Sequence, residues 1–517
     1  MTRPVLIIGA GIAGLWAALK LAPREVVLLT GAPLGEGAAS GWAQGGVSAA
    51  LAGDDSPTLH ARDTMMAGAG LVEADAAHAL AEGAAAEVQA LAAIGAPFER
   101  SGSDWSLSRE AAHSAHRVAR VKGDGAGAAI MNTLIEAVRA AEHIEIREGW
   151  RAMALLGDET GCRGVLARDP HDRDVPLAAR ATVLAMGGAG GLFGLTTTPS
   201  TAQGQAMSMA SALGAVIQDP EFVQFHPTAL NADLDPAPLC TEALRGEGAH
   251  LIDRQGRRFM KTVHELAELA PRDVVARAVH RQNARGLGAF LDCREAIGDA
   301  FPERFPAVFA ACQRAGLDPR VDPIPVAPTA HYHMGGVKTD IDGRTTVKGL
   351  WAVGECASSG LHGANRLASN SLAEGLVAAA RCATALGMTP PDSLSPPADP
   401  VEPAPDLPPH VLQRLRQAMS RMAGVERNAS GLAELLDLIR QWRHRHGDAH
   451  ALLAAQFIVQ AALEREESRG GHFRTDFPDT AHTAQHSALT LFDLLSPISG
   501  LEVDAAMTYV ARRLPAE

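Results

Sequence analysis

The chain has 517 residues, of which 47% are hydrophobic and 20% are charged, a composition typical of globular proteins. This length predicts two or three domains rather than a single core. Against 59 acidic residues stand 46 lysines and arginines, so the formal net charge is −13. That charge and the lack of a long basic run disfavour a nucleic-acid partner, and an anionic ligand would need a local basic pocket.

The cysteines and the apolar stretches indicate the cellular location that the sequence predicts. Six cysteines lie scattered, with no CxxC pair and no metal-ligand spacing, which predicts reduced thiols in a cytoplasmic protein and no metal site. The apolar stretch after Arg3 carries glycines at cofactor-loop spacing, which argues against a signal peptide. Residues 181–218 are uncharged, but Gly, Ser, Thr and Gln interrupt them too often for a membrane span. We therefore expect no membrane segment.

The first predicted element is a strand–helix–strand unit. An apolar strand at residues 4–8 precedes the GxGxxG sequence of Gly9, Gly11 and Gly14, and a helix and a second strand at residues 25–29 follow. Glycines at this spacing allow a tight turn and let a pyrophosphate approach a helix N-terminus, so the unit predicts a dinucleotide site. The second strand ends at Thr30 and Gly31, where an acid usually holds the ribose hydroxyls, so the ribose contact is left open.

Similar strand-then-glycine elements recur at residues 181–188 and 349–355. Strand ends so far apart in the chain indicate one nucleotide-binding sheet with an insertion at about residues 220–332. The proline-rich stretch 390–409 predicts a stiff linker. Helical periodicity of apolar residues after it, and a further helix at residues 449–466, predict a small helical region at the C-terminus.

The number of glycine-rich loops favours a flavin over a nicotinamide cofactor. One loop spans residues 40–47, a second spans residues 187–191, and a third element combines Glu355 with residues 369–372. A flavin dinucleotide needs backbone donors at its pyrophosphate, its ring and its ribityl chain, and several separated loops meet that need.

Six stretches carry a resemblance to a known family: residues 40–46, 224–228, 241–248, 270–273, 331–332 and 362–372. Together they resemble the fumarate reductase/succinate dehydrogenase flavoproteins, and the resemblance extends to residues 467–470. It implies an α/β fold with a Rossmann-type FAD-binding domain (1–219 and 333–402), an inserted α+β capping domain (220–332) and a C-terminal helical domain (403–517).

Two features select a branch of this family. The loop at residues 38–42 lacks the histidine that binds FAD covalently in some members, so the resemblance implies non-covalent FAD. Residues 241–245, and Glu110 with His113, His116 and Arg117, resemble the branch that oxidises L-aspartate. The implied reaction is hydride transfer from L-aspartate to FAD, with oxygen or fumarate as acceptor. It yields iminoaspartate in the first step of de novo NAD biosynthesis, and a quinolinate synthase that consumes the imine is an implied partner.

The resemblance also implies the substrate-binding residues. Arg272 is expected to face the reacting carbons, either as the proton-transferring group or as a purely electrostatic one. Glu110 and Glu242 are expected near the substrate ammonium, although Glu242 could instead pair with Arg272 or Arg245. The carboxylate-binding side chains are expected to be Arg366, His226, His331, Gln224 and Thr241.

The implied cofactor contacts come from all the glycine-rich elements. They are Gly9, Gly11, Gly14, Ser40, Gln44, Gly45, Gly46, Ala152, Glu355, Ser371 and Leu372. Gln205 stands where relatives commonly carry an aspartate associated with FAD. Two other functions stay open: a soluble fumarate reductase or succinate dehydrogenase flavoprotein, and a flavin-containing RNA-modifying or scaffold protein, which the net charge disfavours.

Overall fold

The computed structural model describes residues 3–388 and 401–495. Its strands are β1 (Val5–Ile8), β2 (Val26–Thr30), β3 (Val47–Ser48), β4 (Arg100–Ser101), β5 (Asp104–Trp105), β6 (Leu107–Ser108), β7 (Val118–Ala119), β8 (Ile144–Glu148), β9 (Arg151–Asp158), β10 (Gly161–Arg168), β11 (Asp174–Ala178), β12 (Ala181–Leu184), β13 (Ile217–Gln218), β14 (Val223–Leu230), β15 (His250–Ile252), β16 (Phe290–Asp292), β17 (Ile324–His333), β18 (Gly336–Lys338), β19 (Leu350–Ala352), β20 (Ala357–Ser358) and β21 (Ala488–Leu489). Its α-helices are α1 (Ile12–Lys20), α2 (Pro57–Ala67), α3 (Ala74–Ala93), α4 (Ala126–Ala140), α5 (Gln205–Ser211), α6 (Glu242–Gly246), α7 (Arg272–Ala284), α8 (Phe301–Arg304), α9 (Pro306–Arg314), α10 (Asn370–Met388), α11 (Pro409–Met422), α12 (Ala429–His446), α13 (His450–Glu464) and α14 (Leu491–Leu495).

The central sheet is parallel, with the strand order β19-β12-β1-β2-β8. Strands β1, β2, β12 and β19 are buried along their whole length and are mostly apolar, because both faces of the sheet are covered. Helices α1, α3, α4 and α10 share one hydrophobic core on this sheet. The three predicted strand-then-glycine elements therefore join in one sheet, and their glycine loops meet at its carboxyl edge.

A second, antiparallel sheet follows the order β14-β17-β16-β15. Helices α6 to α9 accompany it in sequence, and its hydrophobic core is formed by residues between Leu230 and Val326 alone. Strands β14 and β17 lead into this unit and out of it. We call residues 220–332 the capping unit and propose that they form a capping domain.

The C-terminal region is helical, as predicted. Helix α11 buries Leu415 and Met419, and α12 buries Leu432 and Leu435. These side chains share one hydrophobic core with α5 and the strands beside it, instead of enclosing a core of their own. The predicted proline-rich linker lies partly outside the described residues, and residues 401–408 contain no helix.

Within residues 3–388 and 401–495, no helix combines the length and the apolar composition that crossing a membrane requires. All six cysteines are buried as free thiols.

Candidate active site

A cavity of about 920 Å³ lies along the carboxyl edge of the central sheet. Ligands of open α/β folds bind outside this edge, where the loops after the strands diverge. Its lining includes residues 8–13 after β1, 29–32 after β2, 185–188 after β12 and 353–355 after β19. All the predicted glycine-rich elements therefore border one continuous space, which suits an elongated dinucleotide.

The glycines of the first loop have different roles. Gly9 has φ +111°, and a side chain there would overlap the carbonyl oxygen of Ala185. Gly9 and Gly11 line the cavity, whereas Gly14 does not. A Cβ on Gly14 would overlap the Gly9 carbonyl, so Gly14 allows α1 to pack tightly behind the loop. The expected direct cofactor contact of Gly14 thus has no support in this geometry.

In the loop at residues 40–46, too, some residues line the cavity and others do not. Ser40 lines the cavity and accepts a hydrogen bond from the backbone N–H of Ile12, 3.1 Å away. Gln44 also lines the cavity and donates to the Leu239 carbonyl of the capping unit. Gly45 and Gly46 are absent from the lining, and a Cβ on Gly45 would lie 2.9 Å from Glu110 Oε1. Gly45 therefore borders the expected substrate side rather than the described cofactor cavity.

The other expected cofactor residues border the cavity. Ala152 lines one end, and Ser371 and Leu372 lie in the first turn of α10, where free backbone N–H groups favour negative charge. The Glu355 carboxylate accepts from the backbone N–H of His333, and burial raises its pKa to about 7. Gln205 spans its own loop, accepting from the Gln203 N–H and donating to the Thr201 carbonyl.

The predicted substrate side chains meet where the capping unit faces the central sheet. Gln224 Oε1 accepts from Arg366 Nη2 at 2.9 Å and from Arg272 Nη1 at 3.1 Å, so one amide oxygen bridges two guanidinium groups. Arg272 Nε also donates to Glu242 Oε2 at 2.6 Å, and Arg245 Nη2 lies 3.7 Å from the same oxygen. Gln224 is on β14 and Arg366 is in the loop before α10. Arg272 begins α7, and Glu242 and Arg245 belong to α6.

These contacts fix the charge of Glu242. Its burial would raise its pKa, but the charges of Arg272 and Arg245 outweigh burial and hold that pKa below the ordinary value. Glu242 is therefore an ionised partner of two arginines, one of the roles left open by the sequence. Thr241 is less free for a ligand than expected, because its hydroxyl oxygen caps α6 by accepting from the Ala243 N–H.

Arg366 is a buried cation without a carboxylate hydrogen-bond partner in the described part of the chain. It donates to Gln224 Oε1 and to the Leu367 carbonyl, and its buried Nε finds no acceptor among residues 3–388 and 401–495. Burial, followed by the charge of Arg272, lowers its pKa to about 10. Its guanidinium carbon lies 4.7 Å from the centre of the Tyr332 ring. Arg366 is thus held in place with donor capacity left for an anion.

Two neutral histidines stand beside the arginines. The rings of His226 and His331 are 5.2 Å apart between centroids. Burial, with nearby arginine charges, holds the pKa of both well below the ordinary value. His226 Nδ1 accepts from the Thr228 N–H, so its proton is carried on Nε2. His331 Nδ1 lies 2.8 Å from the Thr197 hydroxyl.

Glu110 lies close to this cluster. Its Oε2 accepts from the Ser369 hydroxyl at 2.9 Å, and the charges of Arg272 and Arg366 act on it. Burial, and then the charge of Glu242, raises its pKa above the ordinary value. Of the residues that resemble the same branch, His116 is exposed, and buried Arg117 pairs with Asp55 and Asp63.

Sequence reasoning missed a buried triad behind Arg366. Glu374 Oε2 accepts from the Tyr332 hydroxyl and lies 2.9 Å from His362 Nε2. These three residues come from β17, the loop before α10, and α10 itself. Tyr332 and His362 lie in stretches that carry the family resemblance, but no local pattern predicts that they meet Glu374, because only the fold brings the three together. The triad fixes the ring on which Arg366 rests.

Two family models match the chain. Residues 4–372 match the FAD binding domain, and residues 448–493 match the fumarate reductase flavoprotein C-term. The chain is 55% identical to the L-aspartate oxidase of Caulobacter vibrioides, over 94% of this chain and 96% of that protein. It is 44% identical to the L-aspartate oxidase of Agrobacterium fabrum, over 95% and 94% of the two chains.

Solved structures give the same fold. A mutant of E. coli quinol fumarate reductase FrdA superposes with a TM-score of 0.86 at 27% identity, covering 95% of this chain and 94% of that one. Mycobacterium smegmatis Sdh1 in complex with UQ1 gives 0.80 at 29% identity, covering 93% and 90%.

Proposed function

The chain belongs to the L-aspartate oxidases, FAD-binding relatives of the fumarate reductase flavoproteins, and we infer that it oxidises L-aspartate to iminoaspartate with FAD as its cofactor. The observation that carries this inference is the cluster of Arg272, Arg366, Glu242 and Glu110 beside the cavity at the sheet edge. Through this reaction the enzyme catalyses the first step of de novo NAD biosynthesis.

Substrate binding follows from the unpaired donors. We propose that Arg366 binds one substrate carboxylate, because its Nε has no acceptor in the described structure and a carboxylate matches the guanidinium fork. His226 can donate from Nε2 to the same dicarboxylate, and neutral His331 stands beside it. Neutral imidazoles add hydrogen bonds without adding charge, so the arginines supply the positive charge.

We propose that Arg272 faces the reacting carbon and acts mainly through its fixed charge. Glu242 and Gln224 hold its Nε and Nη1, which orients the guanidinium before substrate binds. A preorganised charge needs no rearrangement during reaction. FAD, when bound, would accept the hydride that leaves C2 of the substrate, and the substrate ammonium must lose a proton so that the C=N bond of iminoaspartate can form. We propose that the capping unit closes against the sheet edge and so excludes water from this space.

Glu110 is our candidate for selecting an amino acid. L-Aspartate carries an ammonium that succinate lacks, and an ionised carboxylate near that ammonium favours aspartate. The Ser369 hydroxyl fixes one oxygen of Glu110. We propose that Glu110 pairs with the substrate ammonium.

The test is an anaerobic titration of the purified holoenzyme. We expect L-aspartate to bleach the flavin absorbance and succinate to leave it unchanged. Arg272→Leu should keep the yellow colour and fail to bleach, whereas Arg320→Leu, at an exposed arginine of the capping unit, should behave like the parent protein. Bleaching by succinate alone would overturn the assignment in favour of a succinate-oxidising flavoprotein.

We further propose that oxygen or fumarate takes the electrons from the enzyme, in the cytoplasm, and that a quinolinate synthase consumes the imine. Imines hydrolyse in water, so a consuming enzyme nearby would protect the product. Stopped-flow reoxidation with each acceptor identifies the acceptor. The partnership is tested by comparing the yield of quinolinate when the two enzymes are mixed with the yield when they are kept separate, with each enzyme in the same fixed excess.

A further inference from the structure

One end of the cofactor cavity is closed by the C-terminal region. Its lining there includes Thr30 and Gly31 after β2, residues 150–153 at the start of β9, and residues 404–407, which lead into α11. The N–H of Ala404 donates to the Met153 carbonyl at 3.4 Å, which ties this segment to β9. A segment more than 250 residues away in sequence thus borders the end of β2.

In dinucleotide-binding folds of this kind, the end of the second strand faces the adenosine ribose, and an acid there binds the ribose hydroxyls. This chain has no acid at that point. The Thr30 hydroxyl donates to the Ala32 carbonyl, and Gly31 has no side chain. A ribose in this place needs a hydrogen-bond acceptor from another part of the chain.

Arg151 and Asp406 occupy this place. Arg151 Cγ lies 3.7 Å from the position that a Cβ on Gly31 would take. Arg151 Nη1 donates to Asp406 Oδ1 at 3.1 Å, and Arg168 Nη1 lies 3.6 Å from Asp406 Oδ2. Two arginines thus hold the Asp406 carboxylate at the end of the cavity, and its side chain remains 62% exposed.

The other carboxylates in the lining are engaged or lie elsewhere. Asp124 accepts from the backbone N–H groups of Ala307 and Val308 at the start of α9. Glu355 accepts from the His333 N–H, beside Gly188 after β12. Glu36 is exposed in the loop after β2 and is the one competitor near the same end of the cavity.

We propose that the Arg151–Asp406 pair binds the vicinal hydroxyls of the adenosine ribose of FAD, in place of an acid at the end of β2. A carboxylate accepts from both hydroxyls, and the adjacent guanidinium donates to their oxygens. The proposal rests on FAD as the cofactor. It makes the segment before α11 part of the cofactor site, so FAD binding and docking of the C-terminal helices support each other.

The test is the dissociation constant of FAD for the full chain after removal of the flavin, measured by quenching of flavin fluorescence. Replacing a charged acceptor in a partly exposed site should cost roughly tenfold in affinity, so we expect Asp406→Asn and Arg151→Met each to raise the dissociation constant about tenfold. Asp318→Asn, at a partly exposed aspartate paired with Arg320 on the capping unit, is the control and should bind like the parent protein.

A second ligand separates ribose binding from a structural role. With FAD carrying 2′-deoxyadenosine, the parent protein should bind about tenfold more weakly, and Asp406→Asn should add little further loss, because the hydroxyl and its acceptor act together. If Asp406→Asn loses as much affinity for the deoxy ligand as for FAD, Asp406 has a structural role and the proposal is overturned. Unchanged binding by Asp406→Asn, or a loss with Glu36→Gln instead, would also overturn it. Failure of the parent protein to bind FAD at all would refute the proposed function itself.

Discussion

Replacing Arg272 by leucine should affect stability and turnover separately. The Arg272 and Glu242 side chains are 11% and 7% exposed, and their closest atoms are 2.6 Å apart. Leucine would leave Glu242 buried with Arg245, at 3.7 Å, as its remaining ion-pair partner and with the charge of Arg366 nearby. Breaking a buried pair costs about 3–5 kcal/mol. Since Arg245 remains, we expect the lower end, a loss of about 3 kcal/mol in the free energy of unfolding.

A double-mutant cycle isolates this pair from the rest of the site. Glu242→Gln leaves two arginines without their carboxylate, so it should also destabilise the protein. In the double variant no uncompensated carboxylate remains, and its loss should be smaller than the sum of the two single losses by about 2 kcal/mol. Guanidinium chloride unfolding at saturating FAD gives these values, and anaerobic bleaching by L-aspartate gives the turnover, which should vanish in both Arg272 variants. A coupling energy near zero would refute the buried pair, and near-normal turnover of Arg272→Leu would remove Arg272 from the chemistry.

Variants at three further positions test the cofactor loop, the selecting carboxylate and the support of Arg366. Burial raises the pKa of Glu110, so its carboxyl group is fully ionised only above that raised pKa. The KM for L-aspartate should therefore rise as the pH falls from 7 towards 4.5, the ordinary pKa of a glutamate side chain. Glu110→Gln should have a high KM that no longer changes over this pH range. If KM of the variant changed with pH in parallel with KM of the parent protein, Glu110 would not be the group that binds the ammonium. Tyr332→Leu, which removes the ring under Arg366, should raise KM about tenfold, and Tyr332→Phe should raise it less; steady-state kinetics would disprove the stacking role if the two variants behaved alike. Gly9→Ala should purify without flavin, because its Cβ would overlap the Ala185 carbonyl, and a yellow variant would refute that packing.

The features predicted from sequence are those that local pattern encodes. An apolar run followed by glycine identified β1, β12 and β19, since a buried parallel strand is apolar on both faces, whereas the edge strand β8 (Ile144–Glu148) alternates with charged residues and was not predicted. The same reasoning could not separate Gly14, which allows close packing, from Gly11, which borders the cavity. Both glycines satisfy one spacing, and only the position of the neighbouring backbone distinguishes them.

Contacts between segments that are distant in the chain could not be predicted from the sequence. Asp406 reaches Arg151 because the C-terminal helices bury their apolar faces in the same core as α5, which brings residues 404–407 to the end of β2. Likewise, Glu374 on α10 meets Tyr332 on β17 only in the folded chain. No periodicity records such a pairing, because neither residue is unusual in its own segment.

The charges of the proposed substrate site give a physical reason for the choice of ligand that we propose. Within the cluster itself, Arg245, Arg272 and Arg366 are opposed by Glu242 and Glu110, and the histidines are neutral, so these five side chains sum to one positive charge when Glu110 is ionised. L-Aspartate, with two carboxylates and one ammonium, neutralises it. A dicarboxylate without the ammonium would leave one buried negative charge, which is costly. Protonation of Glu110 removes that excess, and its raised pKa makes this protonation easier than for an exposed carboxyl group. One buried side chain can therefore favour the amino diacid when ionised and admit a dicarboxylate such as fumarate when protonated.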